Sequence, residues 1–229
     1  DYVSWNWAEG ATPGFDIVSY TGDGANRAIS HSLGAVPKMI AVKMRSDTYE
    51  WTVYHEAMGN TKMMKLNASE APSTASTFWQ DTTPTSSVFS LGTHGNVNKD
   101  TETFIAYLWA EVDGFSKFGS YTGNGTADGP FVYCGFKPRM VIIKEDYATA
   151  NWFIFNSAIA TYNVMAGGLQ PSTTAVEGTQ DILDFLSNGF KIRHDGTVNS
   201  VNDSGISIIY AAFAENPFGG DGVAPATAH

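Results

Sequence analysis

The residues able to carry covalent or acid–base chemistry are scattered along this chain, and their spacing builds none of the common active sites. Acyl transfer needs a Ser or Cys nucleophile beside a His that a carboxylate orients. No Gly-x-Ser-x-Gly turn occurs, and His31, His55, His94 and His194 stand apart from any such nucleophile. Cys134 is the single cysteine, so it closes no disulfide within the chain, and it lacks the paired Cys/His spacing of a zinc site. Set in an apolar run, it reads as a buried thiol. Glycoside cleavage needs two carboxylates roughly 5 to 9 Å apart, for which Glu50, Glu56, Asp181 and Asp184 are the candidates. Asp23, Asp128, Asp195, Asn199, Asn202 and Asp203 lie in Gly-rich loops whose oxygens suit calcium. Their spacing matches no EF-hand or RTX pattern, and Asx turns account for them without a metal. The runs Thr21-Gly22-Asp23-Gly24 and Thr122-Gly123-Asn124-Gly125 invite a phosphate-cradle reading. No Lys-Ser/Thr follows them, and no helix is expected there to aim its N–H groups. The expectation is a protein with no catalytic residues, no metal and no cofactor.

The aromatic side chains are more suggestive. Tyr20, Tyr49, Trp79, Tyr121, Tyr147 and Tyr162 sit among Asn-, Thr- and Asp-rich connectors, which suits stacking on a sugar ring with hydrogen bonds around it. Tyr49, Trp79, Tyr147 and Tyr162 are the ligand-binding candidates. The competing reading is that the same rings fill cores.

What must position these residues is a duplicated scaffold. Sliding the chain against itself by 101 residues aligns Ser19-Tyr20-Thr21-Gly22-Asp23-Gly24 with Ser120-Tyr121-Thr122-Gly123-Asn124-Gly125. Gly34, Pro37, Met39, Lys43, Trp51 and Phe89 then meet Gly135, Pro138, Met140, Lys144, Trp152 and Phe190. Gly95-Asn96-Val97-Asn98 meets Gly196-Thr197-Val198-Asn199, and positions 19–98 give eighteen identities in eighty. Trp7-Ala8-Glu9 recurs as Trp109-Ala110-Glu111 and, loosely, as Phe213-Ala214-Glu215, so residues 2–9 read as the last strand of a preceding repeat or a strand lent to the first.

The repeated residues are turn and core formers. Gly and Asx reverse the chain, prolines open strands, and Trp51 and Trp152 read as core anchors. The repeated charges Lys43/Lys144 and Glu9/Glu111/Glu215 read as solvated or ion-paired. Short β runs cover 15–20, 38–44, 51–55, 62–66, 87–91 and 103–110, then 118–121, 139–144, 152–156, 189–193 and 206–214. A single helical turn is expected at Asp181–Leu186. The fold class is all-β: two tandem antiparallel β-sandwich repeats, jelly-roll-like, over residues 1–112 and 113–229.

Charge narrows the partners. With 13 basic and 23 acidic side chains the net charge is −10, which disfavours nucleic acid, whose binding draws on Lys and Arg. No apolar run nears the ~20 residues that span a bilayer. The start at Asp1-Tyr2-Val3-Ser4-Trp5, with no initiator Met and no signal-peptide pattern, reads as a fragment of a longer chain.

The chain resembles the duplicated β-rich domain of tail-associated virion proteins of bacteriophages, marine and cyanobacterial ones in particular. The residues that carry the likeness are Gly14-Phe15-Asp16-Ile17-Val18-Ser19-Tyr20-Thr21-Gly22-Asp23-Gly24, Pro37-Lys38-Met39-Ile40, Trp51-Thr52-Val53-Tyr54-His55, residues 114–125, Asp184-Phe185-Leu186-Ser187-Asn188-Gly189-Phe190-Lys191, and Ala214-Glu215-Asn216-Pro217-Phe218-Gly219-Gly220-Asp221-Gly222. The resemblance implies a virion protein, a tail fibre or receptor-binding appendage, that meets host cell-surface carbohydrate. Its other partners would be virion proteins, and such appendages are symmetric, so a trimer is implied by analogy. The alternatives are a structural accessory, such as a capsid decoration or a tail or horn component that binds only virion proteins, and a polysaccharide-degrading depolymerase.

Overall fold

Alternation along the strands decides which side chains meet. The computed structural model describes residues 6–159, 162–197 and 200–214. In β3 (Pro37–Met44) the side chains of Ile40, Val42 and Met44 are fully buried. They face Leu108, Ala106 and Phe104 of β8 (Thr103–Ala110) across an antiparallel register. The intervening residues Met39, Ala41 and Lys43 turn to the other side of the sheet. The fold is all-β and its ladders are antiparallel.

Backbone contacts divide the chain into two units, Asp1–Met63 with Thr74–Val112, and Met64–Ser73 with Asp113–His229. The division is therefore not a single cut at residue 112. Residues 64–73 belong with the second unit, where the Trp152 indole donates to the Lys65 carbonyl and the Ala150 amide to the Ser69 carbonyl, both at 2.8 Å.

In the first unit β1 (Phe15–Thr21), β8, β3 and β4 (Thr52–His55) pair in that order. The sheet continues into β5 (Lys62–Lys65) and β6 (Ser73–Thr74). A second ladder joins β2 (Arg27–Ser30) to β7 (Val88–Leu91) and lays Ile29, Phe89 and Leu91 onto the sheet's buried face. Two short helices, α1 (Ser76–Trp79) and α2 (Gly95–Asn98), flank β7.

The second unit uses the same pairings. β9 (Ser116–Thr122), β16 (Ser207–Ala214), β11 (Pro138–Glu145) and β12 (Phe153–Asn156) form one sheet in that order. Its register shifts between Pro138 and Met140, as that of β3 does between Pro37 and Met39. The opposing sheet is β10 (Phe131–Tyr133), β15 (Gly189–Ile192), β14 (Asp181–Leu186) and β13 (Met165–Ala166). Val141, Ile143, Ile208 and Ala212 of the first sheet share one core with Val132, Leu183, Phe185, Phe190 and Ile192 of the second.

Several expectations change. Asp181–Leu186 is a strand and not a helical turn: Leu183 and Phe185 alternate into the core, and a tight turn at Ser187-Asn188 returns the chain as β15. Among the described part of residues 2–9, Asn6–Glu9 form no strand, and Trp7 packs on Phe15 and Trp109 instead. Trp152 is the core residue expected, whereas Trp51 is half-buried and stacks on Tyr107.

Candidate functional site

The repeated Tyr-Thr-Gly-Asx-Gly segment is a locked turn. Asn98 is fully buried. Its Nδ2 lies 3.0 Å from Asp23 Oδ1, 2.6 Å from the Ala25 carbonyl and 3.1 Å from the Gly92 carbonyl, while its Oδ1 accepts from the Asp23 amide. Gly22, Gly24 and Ala25 amides donate to the Glu102 carbonyl, the Asn98 carbonyl and Asp23 Oδ1. All four successive N–H groups are thus taken, and none remains to cradle a phosphate. Asn202 does the same work in the second unit. Its Nδ2 reaches Asn124 Oδ1, the Thr126 carbonyl and the His194 carbonyl, and its Oδ1 accepts from the Asn124 amide.

The partner of Asn98 is therefore Asn202, and the counterpart expected at Asn199 lies outside the described residues. Three extra residues before β16 account for the slip. Gly22 and Gly123 lie so close to the passing backbone that a Cβ would collide with the Lys99 or Asp203 carbonyl oxygen. Tyr20 and Tyr121 complete the locks by donating to the carbonyls of Val97 and Val201, at 2.6 and 2.7 Å. Burial pushes both phenols well above their ordinary pKa. They brace turns, Tyr121 buried in the core and Tyr20 half-buried with its ring stacked on Phe104.

The titratable candidates are engaged locally. Nδ1 of His31, His55, His94 and His194 accepts the backbone N–H two residues further on, from Leu33, Ala57, Asn96 and Gly196, at 3.0 to 3.3 Å. Glu56 pairs with Lys38 at 2.6 Å, and Glu50 accepts from Asn96 Nδ2. Asp181 and Asp184 stand on one strand whose register shifts between Asp181 and Leu183, and Asp184 pairs with Arg193 at 3.3 Å. Asp195 caps Thr197, Asp23 caps Ala25, and Asp128 pairs with Lys191 at 2.8 Å. Among the described residues no three His, Cys, Asp or Glu side chains gather as metal ligands.

One repeated charge behaves otherwise than expected. Lys43 Nζ donates to the Met44 and Asp47 carbonyls, but Lys144 is 1% exposed and its Nζ has no hydrogen-bond partner. Burial pushes its amine down to about 8, against the opposing charges of Glu145 and Asp146.

The four ligand-binding candidates differ in their surroundings. Trp79 is in the first unit's core, edge-on to Tyr54, with Nε1 donating to the Lys62 carbonyl, so it is withdrawn as a stacking platform. Tyr49 is half-buried against the same core, with Lys99 Nζ 5.3 Å from its ring centre. Tyr147 and Tyr162, in the second unit, are 73% and 86% exposed. They flank β12 in sequence, Tyr147 before it and Tyr162 after it.

Sequence reasoning missed a second exposed pair. Phe131 and Tyr133 of β10 are 47% and 57% exposed, although Val132 between them is buried in the core. In register, Phe131 stands opposite Lys191 and Tyr133 opposite Gly189, while Lys191 faces Asp184 on the next strand. The ungapped 101-residue comparison sets these rings against Ser30 and Ser32, but the strand pairing puts them at the places of Ala28 and Ser30, so the small-to-aromatic exchange is visible in sequence while its register is not.

Among the described residues no helix is long and apolar enough to cross a membrane. No curated protein and no solved structure matches the chain. A family model matches residues 1–217, nearly the whole of it, and the chain therefore belongs to the family described as a domain of unknown function, DUF7483.

Proposed function

We propose that the protein is a recognition module of a phage particle, a tail fibre or receptor-binding appendage whose loops meet host cell-surface carbohydrate, and that it works by binding and not by catalysis. The observation that carries the recognition half is the division of labour among its side chains. The repeated polar residues lock turns, whereas large aromatic rings that no core requires, Tyr147 and Tyr162, stand exposed on loops of the second unit. Loops on a rigid scaffold are where binding residues belong. The virion placement and a trimeric assembly rest on the resemblance described above.

The whole chain on an array of lipopolysaccharides and oligosaccharides tests this reading, with its oligomeric state measured by light scattering. Binding to one glycan class is the expected result. Failure to bind any of them at every oligomeric state overturns the recognition role and favours the structural alternative, in which the chain contacts only other virion proteins.

A further inference from the structure

We propose that the outer face of β10, β15 and β14 in the second unit is a binding site for an uncharged oligosaccharide, with Phe131 and Tyr133 as the stacking platform. The inference rests on the carbohydrate-binding reading above, places the stacking platform on a sheet face in place of the loop residues Tyr147 and Tyr162, and adds a charge class.

Phe131 and Tyr133 are two apart on a strand, so their rings project from one face about 7 Å from each other. Gly189, opposite Tyr133, brings no side chain up beside that ring, and a Cβ there would collide with the Val132 carbonyl. The Tyr133 ring also lies beside Gly135, where a Cβ would come within 3.6 Å of its hydroxyl. Two glycines thus leave the ring uncrowded on an open surface.

The fold does not need these rings. The same strand pair in the first unit is β2 with β7, where Phe89 faces Ile29 in the core as Phe190 faces Val132. There the outward pairs are Ala28 with Ser90 and Ser30 with Val88. Small residues at those positions close the first sandwich, so Phe131 and Tyr133 answer to something other than packing.

The charges beside the rings define the ligand. Lys191 pairs with Asp128 at 2.8 Å and Arg193 with Asp184 at 3.3 Å. Two cations and two anions cancel, which leaves no unpaired positive group for a sulfate, phosphate or carboxylate. A protein partner is the weaker fit: two half-exposed aromatic side chains offer roughly 200 Å², against the ~1,000 Å² or more of a specific protein interface.

The test uses the whole chain and its Phe131→Ala/Tyr133→Ser double variant, which copies Ala28 and Ser30 of the first unit. Both are applied to an array of neutral oligosaccharides with their sulfated and sialylated counterparts. The parent chain should bind neutral members and the double variant should bind them at least about tenfold more weakly, with an unchanged unfolding midpoint. In ring-labelled tyrosine NMR of the parent, titration with a bound oligosaccharide should move Tyr133 and leave Tyr147 and Tyr162 in place. Equal binding by the double variant, with Tyr147 or Tyr162 moving instead, overturns the site and leaves the carbohydrate reading standing. A preference for sulfated or sialylated members overturns the charge class. Absence of binding to every member by the parent overturns the carbohydrate reading itself, and the site with it.

Discussion

Replacing Asn98 by Ala should destabilise the first unit by about 3 to 5 kcal/mol. Nδ2 carries two protons and meets three acceptors, so it makes two bonds' worth of donation, and Oδ1 accepts one more from Asp23. At ~1 kcal/mol each these sum to about 3 kcal/mol. Asp23 and Ala25 are exposed and water can replace their lost partner, but the buried Gly92 loses a donor to its carbonyl, which adds ~1 to 2 kcal/mol. Asn98→Asp should cost more than the alanine, because a carboxylate oxygen would then face two carbonyls and the Asp23 carboxylate. Urea unfolding measures the loss, and hydrogen exchange locates it: the amides of 22–25 should exchange faster in Asn98→Ala while those of 123–126 keep their protection. Asn202→Ala should give the mirror result. A loss below ~1 kcal/mol, or unchanged exchange across 22–25, would refute the claim that this side chain holds the turn.

Gly22→Ala should cost several kcal/mol in thermal unfolding, because its Cβ meets the Lys99 carbonyl, whereas Gly34→Ala, at φ +66° with open space around it, should cost only about 1 to 2 kcal/mol. Tyr121→Phe should lose about 1 to 2 kcal/mol at neutral pH by stranding the Val201 carbonyl. The raised phenol value also makes the parent lose stability as pH climbs beyond about 10, since the unfolded chain then gives up a proton that the folded one keeps; urea midpoints on either side of that pH should show the fall shrinking in the variant. Lys144→Met should stabilise the protein by roughly 3 kcal/mol at pH 7. The folded amine is pushed down to about 8, so the unfolded chain holds more protons between that value and its own ~10.4, and stability rises with pH across the window; unfolding at pH 7 and 9.5 should show the rise in the parent and not in the variant.

Strand positions were legible where alternation was strong, as in β8, whose buried residues alternate with half-buried or exposed ones for the full strand, and where an apolar run was continuous, as in β3, which is buried on both faces. The shared turn segments were legible because Gly22 and Gly123 stand where a Cβ would collide with backbone. What failed to show were short elements made by tertiary contact: β10 spans three residues, and the apolar richness of Asp181–Leu186 suits a helical turn as well as a strand until β15 pairs with it. The locks were half visible. Asn98 and the glycines could be read as repeated, but an ungapped comparison cannot see that three added residues move the second asparagine to 202. The candidate rings divided by burial, a property composition does not carry. Trp79 and Tyr147 look alike in sequence, yet one closes a core and the other faces water.

The position of the last strand in each sheet governs how the chain can be made. β8 lies between β1 and β3, and β16 lies between β9 and β11, so in each of these two sheets an inner strand is the last of its sheet to leave the ribosome. At ~5 to 20 residues per second, the 82 residues from Thr21 to Thr103 take about 4 to 16 s. Through that interval β1 has no partner, and once β3 is made its β8-facing edge also stands open to other nascent chains. A chain that stops short of Thr103 is therefore no smaller sandwich but a set of unpaired edges, and dense polysomes are where this protein is most prone to aggregate.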